Sequence, residues 1–171
     1  SLLAWLYYRM GRNEAAANQF RHAERCAPDN EQIQLNLGAV LYLLGRRDEA
    51  MAAFEKAISI RPNPTAYSNL GTLYFEAGRF GDAARAFEHA VELCDEASLS
   101  ERYYLVANLA SARYWGGERE LAGTDFERAI SLVERHLEEH GPDLDALVGL
   151  ASYLGMVGNT ERGLQVIERA I

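Results

Sequence analysis

Lysine is almost missing from this chain: of 17 basic residues only Lys56 is a lysine, and the acidic residues number 25. With a net charge of -8 and a pI near 5.0, generic polyanion binding is disfavoured, because duplex recognition needs clustered cations to displace counterions. No nucleic-acid partner is expected. Cysteine is scarce as well, with only Cys26 and Cys94, which is no disulfide framework. A reducing cytoplasm is the expected location, and both thiols are expected to be buried and inert. Long apolar runs are absent too. Stretches such as 39–44 fall far short of the roughly 20 residues that cross a bilayer, so no membrane partner is expected. The opening Ser1-Leu2-Leu3-Ala4-Trp5 has no charged segment before its apolar stretch and does not read as a signal peptide.

What the chain does have is self-similarity. Leu37-Gly38, Gly45, Ala50, Phe54 and Ala57 recur 33 residues later as Leu70-Gly71, Gly78, Ala83, Phe87 and Ala90. An offset of 34 backwards gives Leu3-Ala4, Gly11, Ala16, Phe20 and Ala23, with Pro28 and Pro62 closing the first and second units. An offset of 39 forwards gives Leu109-Ala110, Gly117, Ala122, Phe126 and Ala129, and a further 41 gives Leu150-Ala151, Gly158, Gly163, Ile167 and Ala170. Each unit places apolar residues at helical spacing before and after a glycine turn, as in Gly45-Arg46-Arg47-Asp48, and so predicts two antiparallel helices.

These residues resemble the tetratricopeptide-repeat (TPR) family along nearly the whole chain. The resemblance implies an all-α fold, a right-handed α-solenoid of about five helix-turn-helix units in one domain over residues 1–171. The units fall at about 1–30, 31–63, 64–102, 103–143 and 144–171, with the first truncated and the third and fourth lengthened. The extra length is expected in extended second helices, or in longer connections after them, around 91–98 and 130–140. The fifth unit, where Gly163 and Ile167 replace the usual Ala and aromatic, is expected to be the least stable. Apolar residues at both ends, including Ile171, suggest that the array continues beyond this segment or that its terminal helices pair with another copy.

In this family the first helix of each unit lines a concave surface used for binding, and the resemblance therefore implies a protein or an extended peptide as partner. Asn36, Asn69 and Asn108 share one position in three successive units. Their amides, each donor and acceptor, suit an extended peptide backbone and resemble the peptide-holding asparagines in the TPR superhelix of O-linked N-acetylglucosamine transferase. Tyr8, Tyr42, Phe75 and Tyr114 share a second position, and with Trp5 and Trp115 they offer large aromatic contact area. The position where chaperone-binding members carry cations to clamp a terminal carboxylate holds Leu35, Ser68, Ala107 and Val148. An uncharged or mildly basic peptide is expected instead.

Catalysis is not expected, nor any cofactor. His136-Leu137-Glu138-Glu139-His140 matches a short zinc-hydrolase pattern, but it falls on a charged helix and is read as a solvated surface pair. The glycines follow the repeat and do not cluster into a phosphate loop. Three functions follow: a protein- or peptide-binding scaffold first, a self-associating structural element second, and, by similarity of repeat style alone, the regulatory tail of a larger bacterial signalling enzyme.

Overall fold

The computed structural model describes residues 2–168. Ala170 and Ile171, which mark the fifth repeat and its apolar end in the sequence, lie outside the described residues, as does Ser1. The described residues form ten α-helices and no strand: α1 (Leu2–Arg9), α2 (Asn13–Cys26), α3 (Glu31–Leu43), α4 (Arg47–Ile60), α5 (Pro64–Glu76), α6 (Phe80–Leu93), α7 (Leu99–Trp115), α8 (Arg119–His140), α9 (Leu144–Met156) and α10 (Thr160–Glu168). They pair as the repeats predict.

The turn inside each pair is one device used five times. In the second pair the N–H of Gly45 donates to the Tyr42 carbonyl and that of Arg46 to the Leu41 carbonyl, both at 2.9 Å. This pair of hydrogen bonds closes the helix end only if its first donor residue adopts positive φ, and Gly45 sits at 72°. The same two bonds recur at Gly11, Gly78, Gly117 and Gly158. Where a tyrosine stands four residues before the turn glycine, the arginine after the glycine lies over its ring: Arg12 on Tyr7 at 4.9 Å and Arg79 on Tyr74 at 4.4 Å. At the other end of the pairs, Asn30, Asn63 and Asp143 accept the N–H groups of Ile33, Ala66 and Ala146 and start α3, α5 and α9.

The extra residues of the third and fourth units go to different places. After α6 the chain runs through 94–98 without helix, and α7 then begins early and reaches 17 residues. After the next turn, α8 itself lengthens to 22 residues and stops at Gly141, whose φ is 84°.

The chain divides into two compact units, residues 1–73 and 74–171, with the boundary inside α5. In the first unit the repeat alanines Ala16 and Ala50 are fully buried, and Phe20 and Phe54 are 3% and 1% exposed. Gly38 is required by packing: a Cβ there would lie 2.6 Å from the Phe54 ring. Buried Gln34 donates to Glu24 at 2.9 Å, and Lys56 reaches the same carboxylate at 2.7 Å. These two bonds, Lys56 first, hold the Glu24 carboxyl below its ordinary pKa.

The second unit repeats the scheme with Ala83, Ala122 and Ala129 at 0% exposure and with Phe87 and Phe126 at 2%. Its one buried carboxylate, among the described residues, is Asp125, held by Arg113 of α7, which also donates to Glu88 of α6 at 2.7 Å. The replacement of alanine by Gly163 in the last pair has a packing reason: an added Cβ would meet the Ala151 carbonyl at 3.0 Å, a contact tight enough to push α10 from α9 by a few tenths of an ångström.

Candidate peptide-binding groove

In the first unit, α1, α3 and the start of α5 carry the residues singled out by the repeat. Trp5 and Tyr8 are exposed on α1; Asn36 and Tyr42 on α3 and Asn69 on α5 are half-buried. Between them the surface opens into two adjoining cavities. The first, about 130 Å³, is lined by Trp5, Tyr8, Phe20, Asn36, Ala39 and Val40. The second, about 200 Å³, is lined by Tyr8, Ala39, Tyr42, Leu43, Phe54, Asn69 and Thr72.

The two cavities are one structure repeated. Trp5, Tyr8, Phe20, Asn36 and Ala39 of the first map, 33 or 34 residues on, to Ala39, Tyr42, Phe54, Asn69 and Thr72 of the second. Each has a repeat phenylalanine and tyrosine as walls and an asparagine amide within the lining. Tyr8 and Ala39 line both. The mapped positions differ at two places, Trp5 against Ala39 and Ala39 against Thr72, and only the first is in the direction of the larger second cavity. Neither lining includes a charged side chain; Arg9 lies over the Trp5 ring at 4.9 Å.

The amides differ in availability. Gln32 donates to the Asn36 carbonyl oxygen at 3.2 Å, which orients that side chain and leaves its NH₂ to donate elsewhere. Among the described residues, no hydrogen bond engages the side chains of Asn69 or Asn108.

In the second unit Asn108 is exposed on α7, and Phe75, Tyr114 and Trp115 belong to a chain of rings. Phe75 meets Phe80 edge-on at 5.2 Å, Phe80 stacks on Trp115 at 6.4 Å, and Trp115 meets Tyr114 at 5.7 Å. Arg119 covers Tyr114 at 4.5 Å. Phe80, the link, escapes a reading confined to first helices. Its signal was an aromatic in a turn where the other units place Asn13, Arg47, Arg119 and Thr160. Phe20 and Phe54, which the sequence marks only as recurring repeat positions, each line a cavity as well.

The register of the cavities continues in the second unit as Ser111, Tyr114, Phe126, Gly149 and Ser152. Here the space is occupied. Tyr153, at the position of Val40, lies 6.2 Å from the Phe126 ring and packs with Tyr114 against the same buried cluster. Its hydroxyl oxygen lies 3.3 Å from where a Cβ on Gly149 would stand, so the glycine that replaces asparagine makes room for it. Burial, with a smaller effect of Tyr104, pushes the Tyr153 phenol up to about 12.

Two expectations are corrected. His136 is no solvated surface residue: its side chain is 13% exposed, beside buried Tyr103 at 5.6 Å and 3.1 Å from the Asp143 carboxylate. The early start of α7 and the extension of α8 enclose it there. Cys94 is buried, and burial raises its thiol pKa, but Cys26 is exposed because α2 ends at that residue. Among the described residues, no three His, Cys, Asp or Glu side chains group as a metal site, and no helix is long and apolar enough to cross a membrane.

No curated protein matches the sequence significantly. Solved structures do. BtubC (BKLC) from P. vanneervenii aligns at a TM-score of 0.78 and 20% identity over 98% of this chain and 75% of that one. MamA aligns at 0.74 and 17% over 98% and 92%. YrrB, described as a TPR protein with an unusual peptide-binding site, aligns at 0.67 and 21% over 98% and 81%. At these identities they show a shared fold. A family model described as tetratricopeptide repeat matches residues 29–96, and another described as TPR repeat matches residues 6–45. Matched from residue 6 to residue 96 and built throughout of the corresponding helix pairs, the chain belongs to the tetratricopeptide-repeat family.

Proposed function

We propose that the chain is a non-catalytic scaffold that holds an extended segment of a partner protein along α1, α3 and α5. The observation that carries this reading is the repeated cavity of the first unit: two uncharged, aromatic-walled hollows, one repeat apart, each with an asparagine amide in its lining. An extended peptide is itself periodic, with side chains to bury and backbone groups to satisfy. The Asn36 NH₂ and the unengaged Asn69 amide meet the second need, and the cavities meet the first. The fold is shared with a protein described as having a peptide-binding site, which agrees with this use. Within the second unit, Asn108 and the Phe75, Tyr114 and Trp115 rings form a candidate surface of their own, with Asn108 and Trp115 exposed and Phe75 and Tyr114 half-buried. No cofactor, metal or nucleic acid enters it, and a cytoplasmic location and a place in a larger signalling protein are its natural setting.

The test uses peptides selected from a random display library on the wild-type chain. A folded Asn36→Ala/Asn69→Ala/Asn108→Ala variant should lose most of their binding. Unchanged affinity in that variant sinks the groove reading.

A second reading rests on the terminal helices. Leu2, Leu3 and Leu6 of α1, Met10 just after it, and Leu164 and Ile167 of α10 are all at least 40% exposed, apolar surface suited to self-association. Sedimentation across a hundredfold range of concentration decides it: a monomer throughout removes this reading.

A further inference from the structure

We propose that the larger of the two groove cavities, at Tyr42 and Phe54, is a receptor for an aromatic side chain of the partner, and the smaller one, at Trp5 and Phe20, for an aliphatic side chain. This rests on the groove reading above and names the ligand class within it. The chain itself supplies the evidence. At the equivalent place in the second unit the hollow is filled by an aromatic residue, Tyr153, whose ring lies 6.2 Å from Phe126 at an interplanar angle of 30°. Phe126 is the counterpart of Phe54, and Tyr114, beside it, the counterpart of Tyr42. The walls are therefore of a kind that this protein already packs around a phenol.

Size separates the two cavities. An apolar cavity of about 150 Å³ accepts a benzene ring. The hollow at Tyr42 and Phe54 is about 200 Å³ and exceeds that; the one at Trp5 and Phe20 is about 130 Å³ and does not. Trp5 takes up in the smaller the room that Ala39 leaves in the larger. Charge agrees, since neither lining offers an ionised partner to a buried Lys, Arg, Asp or Glu of the ligand, and such burial is costly. Because the cavities share Tyr8 and Ala39, one chain reaches both with side chains two residues apart in a strand or three apart in a polyproline helix. Where Tyr153 has Gly149 beneath its hydroxyl, the open cavity has the Asn69 amide, a donor and acceptor for a phenol or for the adjoining peptide group.

Gly149 and Tyr153 thus close the member of the series that Tyr114 and Phe126 wall. The closure also provides the test. Asn69→Gly/Leu73→Tyr copies the plug into the larger cavity, and Ala39→Trp narrows it by the side chain already present in the smaller.

N-acetyl-L-tyrosinamide titrated into the ¹⁵N-labelled chain should shift the Asn69 side-chain amide and the Thr72 backbone amide, while N-acetyl-L-lysinamide should not. Either variant that folds should weaken the tyrosinamide by at least about tenfold. Equal responses to the two probes, or undiminished tyrosinamide binding in a folded variant, overturns the proposal. Library peptides separate it from the groove reading. Enrichment of Phe, Tyr or Trp supports it. Selected peptides that need the three asparagines but carry no aromatic residue overturn it and leave the groove standing. Peptides indifferent to the asparagines remove both.

Discussion

The Phe54 ring lies directly against the Cα of Gly38, so closely that a methyl group on Gly38 would stand 2.6, 2.8 and 2.9 Å from three of its ring carbons. The contact joins the packing of α3 on α4 to the candidate site, because the same ring lines the larger cavity.

Gly38→Ala sets two effects against each other. Alanine favours the helix by up to about 1 kcal/mol over glycine, but overpacking a filled core costs about 1–3 kcal/mol. Phe54 is 1% exposed and borders the larger groove cavity, so a displaced ring changes the shape of that cavity. The expected result is a net loss of about 1–2 kcal/mol in urea unfolding, together with weaker binding of library peptides. Gly123→Ala is the control. It lies inside α8 with nothing within 4 Å of the added carbon, and should stabilise by about 0.5–1 kcal/mol.

Much of this is legible in the sequence because one repeat controls it. Ala16, Ala50, Ala83 and Ala122 recur at fixed spacing, and all four are fully buried. The turn glycines Gly11, Gly45, Gly78, Gly117 and Gly158 recur likewise, and all five have positive φ. Departures from the repeat were harder to interpret. His136 looked solvated because its neighbours in sequence are charged, but its surroundings come from Tyr103 and Asp143, brought to it by the two irregular connections. The cavities were hidden for another reason. Their linings mix positions from three or four helices, as Trp5 and Tyr8 with Phe20 and Asn36, and repeat register alone does not distinguish a hollow from a filled space. Gly149 and Tyr153 show this, since in the sequence they register only as a missing asparagine and one more tyrosine.

Tyr153 also predicts a pH dependence. Its phenol is raised from 10 to about 12, chiefly by burial. A raised folded-state pKa leaves the associated stability intact below pH 10 and removes it as pH climbs towards 12. Denaturation followed from pH 9 to 12 should therefore show an alkaline loss that is smaller in Tyr153→Phe, with Tyr103, also raised mainly by burial, accounting for part of the remainder. Identical alkaline profiles for the two proteins would show that Tyr153 is not the buried phenol described.

Asp125 and Arg113 give the largest expected effect of a single polar change. The carboxylate residue is 7% exposed and the arginine side chain 16%, and Arg113 bridges α8 to α6 through its second contact with Glu88. Removing Asp125 leaves a mostly buried guanidinium with one half-exposed partner, and loss of one member of a buried pair costs about 3–5 kcal/mol. Because Glu88 remains, Asp125→Ala belongs at the lower end, about 3 kcal/mol. Glu88→Ala removes the exposed contact and should cost under about 1 kcal/mol. The double substitution distinguishes cooperative from independent contacts: if Glu88 compensates for the missing Asp125, its removal from the Asp125→Ala background should cost more than its removal from the wild type. Equal costs in the two backgrounds would mean that Arg113 holds α6 and α8 independently and that the bridge through it is geometric only.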